Sequence, residues 1–275
     1  MATGTETPDR FDRRRATVLG AYLVVLVVSE SLVTYRDPTT GTFTFQAGGL
    51  ALEILLVFSL TFHGVVVYAS DRTLAHALSA LSLAPLIRIF SLSIPARGED
   101  ILPWLGLVSV PLLISVFAVA YVQRLTPRDL GLAARSARDV AVQIVIALTG
   151  LPLGALEFYI LRPAAWIPNL TAAGVIVGFV VLFFATGISE ELIFRGIMLK
   201  RSVEALGRAA GVLFVSLVFA SLHIFFGSAA DITFVFFVGL FYALVVLRTR
   251  SIWGVALSHS LGNAILYLVA PFLLA

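Results

Sequence analysis

The chain contains no cysteine. That excludes disulfides, thiolate metal ligands and a cysteine nucleophile. Charge is scarce as well: Asp, Glu, Lys and Arg make up 13% of the 275 residues, against roughly a quarter in soluble domains. Lys200 is the only lysine, so the basic balance, with an isoelectric point near 9.5, is carried by arginine. Most of these arginines fall between apolar runs. With no basic soluble stretch to bind with, nucleic acid is not an expected partner.

What is abundant is apolar sequence. Hydrophobic residues make up 59% of the chain and mean hydropathy is +1.00. A membrane-spanning helix needs about 20 apolar residues. Nine runs qualify: 16–34, 47–70, 74–95, 101–122, 138–161, 170–198, 209–227, 231–248 and 252–273. The expected fold is therefore an all-α polytopic membrane helix bundle in contact with the lipid bilayer. Arg13, Arg14 and Arg15 lead directly into the first run, with no short apolar core and small-residue cleavage site. The first run is expected to persist as a helix and not to be removed as a signal peptide.

Arginine placement gives an orientation. Arg10, Arg13, Arg14 and Arg15 precede the first run, and Arg72 follows the second. Arg124, Arg128, Arg135 and Arg138 follow the fourth, Lys200, Arg201 and Arg208 the sixth, and Arg248 and Arg250 the eighth. The alternate connections carry Arg36, Arg97 and Arg162 singly, or none. Positive charge marks the cytoplasmic side, so the N-terminus is expected inside and the C-terminus outside. Residues 123–137 mix arginines with leucines and are expected to form a short amphipathic helix on the inner surface. They divide a four-span region, 1–122, from a second region, 123–275. In the second, Gly150 and Gly154 form a small-xxx-small pair suited to close helix approach.

Every polar grouping that stands out lies in the second region. Glu190, Glu191 and Arg195 fall within six residues inside the sixth run. Each charge there costs ~2.5–3.5 kcal/mol on insertion scales. Glu191 and Arg195 are four apart and share a helix face, the favoured order for an intrahelical pair. Glu190 is turned away by about 100° and lacks that partner. It is thus open to act as a general base. The alternative is an ion-pair cluster at the membrane edge. His223, in the seventh run, alone would be read as a packed core histidine. His259 and Asn263, in the ninth, are four apart, so an imidazole and a carboxamide point to one side as an oxyanion site requires. Glu190, His223 and His259 also offer a possible zinc set. Of the remaining charges, Arg88 is expected to pair with Glu53 or Glu157, Glu30 is a further acid within a span, and His63 and His76 are packing or surface residues.

Glu-Glu-x-x-x-Arg at 190–195, Phe-x-x-x-His at 219–223 and His-x-x-x-Asn at 259–263 occur in that order on three expected spans. This pattern resembles the CAAX protease and bacteriocin-processing (CPBP, or Abi) intramembrane endopeptidases, which include the Ras-converting CAAX endoprotease. Asp129-Leu130-Gly131-Leu132 resembles the segment that precedes the family core, so the resemblance covers roughly 123–273. It implies an endopeptidase acting on a membrane-associated protein or peptide, of CAAX or leader-peptide type. Glu190 would activate water, with His223 holding it. His259 and Asn263 would stabilise the oxyanion, and Glu191 and Arg195 would support the site. Family members are often labelled metalloproteases, yet this arrangement can also be drawn without metal, and zinc stays open. The resemblance further implies a prokaryotic cell membrane and a site reached from the cytoplasmic side. A proton-coupled transporter, and a non-catalytic immunity or scaffold protein of the same fold, are the competing readings.

Overall fold

The structure, a computed structural model, describes residues 11–94, 101–133 and 136–274. Arg10, Arg97 and Arg135, counted above, lie outside the described residues. Among those described, nine helices are long and apolar enough to cross a membrane. They are α1 (Arg13–Thr34), α2 (Gln46–Val67), α3 (Arg72–Ser93), α4 (Ile101–Val122), α5 (Arg138–Leu161), α6 (Ala172–Leu206), α7 (Arg208–Phe226), α8 (Ala229–Thr249) and α9 (Trp253–Leu273). β pairing among the described residues is one isolated bridge, Arg36 to Phe43.

The helices are arranged as lipid demands. On α2, the stripe Phe58, Phe62 and Val65 is exposed, while Glu53, Leu56 and Leu60 on the opposite stripe are buried. An apolar outside around an inside that accepts polar groups is the pattern of a chain solvated by hydrocarbon. The chain is a multi-pass integral membrane protein. Two helices change direction where proline requires it. Pro85 has no N–H for the carbonyl of Leu81, and α3 breaks at Ser82. Pro152 stands in the same relation to Leu148, and α5 breaks at Thr149.

Polar contacts tie one face of the bundle together. Arg15 donates to Asp71 across α1 and α3, with Nε–Oδ2 at 3.0 Å. Gln123 Nε2 donates to the His76 carbonyl at 3.1 Å, and Arg201 Nε donates to Gln123 Oε1 at 2.6 Å. Lys200 lies 3.2 Å from Asp129. We call this the N-terminal face.

Two expectations fail here. Residues 123–133 form a chain of turns, not an amphipathic helix. Thr126 and Asp129 bond to each other, and Gly131 adopts a left-handed φ of 72° that interrupts any helix. The Gly131 carbonyl accepts from Ile252 N at 3.1 Å, and Trp253 Nε1 donates to the Leu132 carbonyl at 3.0 Å. The segment thus clamps the start of α9. The sixth helix, expected to end near 198, runs on to Leu206. Arg201 pairs with Glu204 at 2.6 Å, so Lys200 and Arg201 are helical, not part of a connection. A helix of 35 residues spans about 52 Å, beyond the ~30 Å hydrocarbon core, so its charged end stands clear of the lipid.

A third expectation fails within the bundle. Arg88 pairs with neither Glu53 nor Glu157 but with Glu30 on α1, Nη2–Oε2 2.8 Å. Glu53 accepts instead from Ser29 Oγ at 2.5 Å. The main apolar core includes Leu19, Leu60 and Leu78 together with Ile193, Val215 and Ile252. It therefore crosses the expected boundary at 122/123 without a break.

Candidate active site

The centre of α6 departs from regular α-helix on both sides of the two glutamates. Phe183–Ile188 and Leu192–Met198 are π-helical, with Ser189–Glu191 between them. Such wider turns recur at functional positions because they re-aim side chains within a continuous helix. Close helix approach then brings the polar groups together. A Cβ built on Gly187 would overlap Ser260 Oγ and lie 2.7 Å from the Ala256 carbonyl, so α6 and α9 meet one residue from His259. Gly150 and Gly154 of α5 press likewise onto the Ser258 and Gly262 backbone of α9, as their spacing predicts.

At this crossing Glu191 is wholly buried and serves two partners with one oxygen. Its Oε1 accepts from Arg195 Nη1 at 2.9 Å and from His259 Nδ1 at 3.0 Å. The intrahelical pair read from the sequence is formed, and it also holds the imidazole. Arg195 lies against aromatic faces, 4.4 Å from the Phe219 centroid and 5.4 Å from that of Tyr242. Such contacts stabilise a desolvated cation. Glu191 Oε2 and Arg195 Nε are buried without a protein hydrogen-bond partner.

His259 and Asn263 line a small cleft of about 40 Å³ together with His223, Glu157, Phe219 and Tyr242. His223 Nδ1 lies 3.2 Å from the Phe219 carbonyl, which fixes the proton on Nδ1 and leaves Nε2 as an acceptor. Asn263 Nδ2 donates to Thr186 Oγ1 at 3.0 Å, while Thr186 donates in turn to the Leu182 carbonyl at 2.7 Å. One of the two amide hydrogens of Asn263 is left over. Glu190 joins this group through His259, its Oε2 3.9 Å from Nε2. Among the described residues no direct hydrogen bond links Glu190 to His223.

The cleft runs from His259, six residues from the start of α9 on the N-terminal face, toward the opposite face. Glu157 and His223 are four and three residues from the ends of α5 and α7, and Phe234 is five from the start of α8. All three helix ends lie on the opposite face.

Residues 172–265 match a family described as Rce1-like, type II CAAX prenyl endopeptidase Rce1-like. Over this stretch, about a third of the chain, the protein is similar to the CAAX proteases. The matched stretch contains Glu190, Glu191, Arg195, His223, His259 and Asn263. No solved structure matches the chain. A metal is often associated with CAAX proteases, so the donor geometry matters. Among the described residues no three His, Asp or Glu side chains are grouped around one point that could hold an ion. His259 Nδ1 is already taken by Glu191.

The motifs leave several neighbours unmarked. Glu157, expected beside Arg88, instead lines the cleft. Thr186 and Gly187 carried no motif signal, although an intramembrane Gly beside a polar pair is a sign of close packing. Tyr242, Ser258 and Thr149 form a hydroxyl chain with both links at 2.8 Å, bracing the residue next to His259.

Proposed function

We propose that the protein is an intramembrane endopeptidase that hydrolyses a peptide bond with a water activated by Glu190. The observation that carries this reading is the Glu191–His259 bond, with Glu190 3.9 Å from the other nitrogen of a ring that lines the cleft beside His223 and Asn263. A carboxylate bonded to Nδ1 fixes the imidazole and leaves Nε2 facing the reaction, the orienting role that a buried acid takes in other hydrolases.

In this reading the Glu190 carboxylate takes a proton from water, and the oxygen adds to the substrate carbonyl carbon. His223 Nε2 accepts the second hydrogen of that water. The negative charge that develops on the carbonyl oxygen is met by the free amide hydrogen of Asn263 and by His259 when Nε2 is protonated. Collapse of the intermediate breaks the C–N bond, and the leaving amine takes its proton from Glu190.

The lining bears on the substrate. Among the described residues Glu157 faces the cleft without an ion-pair partner, so a substrate bearing a basic residue near the cleaved bond fits better than one bearing a carboxylate. The cleft also bears on access. With the arginine-rich N-terminal face in the cytoplasm, the Glu157 and His223 end of the cleft points outward, while His259 stands nearer the cytoplasmic side. The orientation rests on Arg13, Arg14, Arg15, Arg72, Arg124, Arg128, Arg208, Arg248 and Arg250, which gather at helix ends and connections on that face, while Arg36 and Arg162 stand in the described connections opposite.

Purified protein in liposomes, offered quenched-fluorescence peptides with and without a prenylated cysteine, tests the activity. Cleavage by the native protein and none by a folded Glu190→Gln variant is expected. Folded protein that cleaves nothing would favour a scaffold or immunity role.

A further inference from the structure

The segment that carries His223 is not ordinary helix. α7 is α-helical through Ser221 and tightens into a 3₁₀ turn over Leu222–Phe226. A helix that changes type near its end leaves carbonyls short of partners. Leu222 is such a residue, and its carbonyl accepts from Arg88 Nη2 at 3.1 Å. The donor comes from α3, 134 residues earlier in the chain.

Arg88 is itself fixed on three sides. Its Nε lies 2.9 Å from Glu30 Oε2, and its Nη2 lies 2.8 Å from the same oxygen. The guanidinium also lies 4.6 Å from the Phe225 ring centroid, so it grips the 3₁₀ turn at both Leu222 and Phe225. The Leu222 carbonyl and the His223 amide belong to one planar peptide unit. Fixing that carbonyl fixes the unit from which the His223 side chain departs. The ring's bond to the Phe219 carbonyl then sets its rotation.

We propose that Arg88, held by Glu30, is a positioning residue for His223, and that the region before residue 123 contributes to catalysis through this bridge. The inference rests on the reading of His223 as a residue that holds the reacting water. It gives a use to an intramembrane arginine and glutamate that belong to none of the three motifs. Arginine suits the task because one planar fork serves the carboxylate and the carbonyl together, which a lysine ammonium does not match.

Three substitutions separate positioning from simple structural support. Arg88→Lys keeps a cation beside Glu30 but loses the fork. Phe225→Leu keeps the fork but removes the ring against which it lies. The exchange Glu30→Arg with Arg88→Glu restores an ion pair but puts a carboxylate next to the Leu222 carbonyl. Thermal unfolding, kcat and KM are measured for each, together with the imidazole Cε1–H signal of His223. The chain has only four histidines, so these signals are few enough to assign.

Arg88→Lys is expected to remain folded, to lower kcat roughly 10- to 100-fold with KM little changed, and to shift the His223 signal but not that of His63. Phe225→Leu is expected to act in the same direction more weakly. The exchange is expected to recover unfolding temperature without recovering kcat. Recovery of kcat by the exchange, or an unmoved His223 signal in both single variants, would overturn the proposal. If the native protein cleaves no peptide, the proposed activity fails, while the His223 signal still decides whether Arg88 positions that ring.

Discussion

Glu191 and His259 lie 68 residues apart on different helices, yet the carboxylate and Nδ1 meet at 3.0 Å. The same carboxylate oxygen also holds Arg195 at 2.9 Å, so one buried acid organises both an ion pair and an imidazole. On the proposed reading Glu191 orients the site, while Glu190, one residue earlier, has no such hydrogen bond among the described residues.

Glu191→Gln tests that division of roles. A glutamine retains the shape but no longer fixes the His259 proton on Nδ1. Peptide cleavage is expected to fall roughly 10²- to 10⁴-fold, the range of an orienting acid in other hydrolases. It also leaves Arg195 buried without its counter-ion, a loss of about 3–5 kcal/mol. Activity and thermal unfolding, measured on the same detergent preparation, should both drop. An active variant would remove Glu191 from the site.

Thr186→Val removes the acceptor for Asn263 Nδ2. A single hydrogen bond contributes about 0.5–1.5 kcal/mol, so the expected loss in kcat is about tenfold or less, with unfolding little changed. Steady-state kinetics at saturating peptide would show it. A change confined to KM would mean that Asn263 binds substrate and does not meet the oxyanion.

Gly187→Ala drives a methyl group into the Ala256 carbonyl and Ser260 Oγ of α9. Overpacking of this kind costs about 1–3 kcal/mol. Gly20→Ala is the control, since nothing lies within 4 Å of a Cβ there. The first variant should unfold earlier and lose activity, and the second should match the native protein or exceed it.

Asp129 supplies a pH dependence outside the membrane. Burial acts to raise its carboxyl, but bonds from the Thr126 hydroxyl and amide, and from Lys200, hold it below the ordinary carboxylate range. A lowered folded value contributes stability that is fully present above the unfolded value near 3.9 and is lost as pH falls through the folded one. Unfolding followed from pH 6 downward should show a steeper acid loss for the native protein than for Asp129→Asn. Parallel curves would contradict the assignment.

Much of the architecture was legible in the sequence because lipid imposes it. Runs of about 20 apolar residues fixed nine spans, and the four-residue spacing of Glu191 and Arg195 placed them on one face. Gly150 and Gly154 marked a contact that α5 does make. What periodicity does not carry is the choice of partner between helices. Glu30, Glu53 and Glu157 were all open to Arg88, and only packing selects Glu30 and sends Glu157 to the cleft. Residues 123–133 show a second kind of miss. Their leucines and arginines imitate an amphipathic helix, whereas Thr126, Pro127, Asp129 and Gly131 are turn formers that override the pattern. The length of α6 was hidden for a related reason: Lys200, Arg201 and Glu204 read as a connection by hydropathy, but they pair as a helix extending beyond the lipid.

The absence of cysteine makes the orientation directly measurable, since a single introduced cysteine is the only thiol in the chain. Arg128→Cys on the N-terminal face and Asn169→Cys opposite are both at exposed positions. In intact cells an impermeant thiol reagent should label Asn169→Cys and spare Arg128→Cys. The reverse pattern would turn the Glu157 and His223 end of the cleft toward the cytoplasm.

The most direct test of the central claim is mass spectrometry of a peptide cleaved in heavy-oxygen water. Native protein should release products in which the new carboxylate contains one heavy oxygen, and folded Glu190→Gln should release none. Equal cleavage by Glu190→Gln would contradict the claim that Glu190 activates the water.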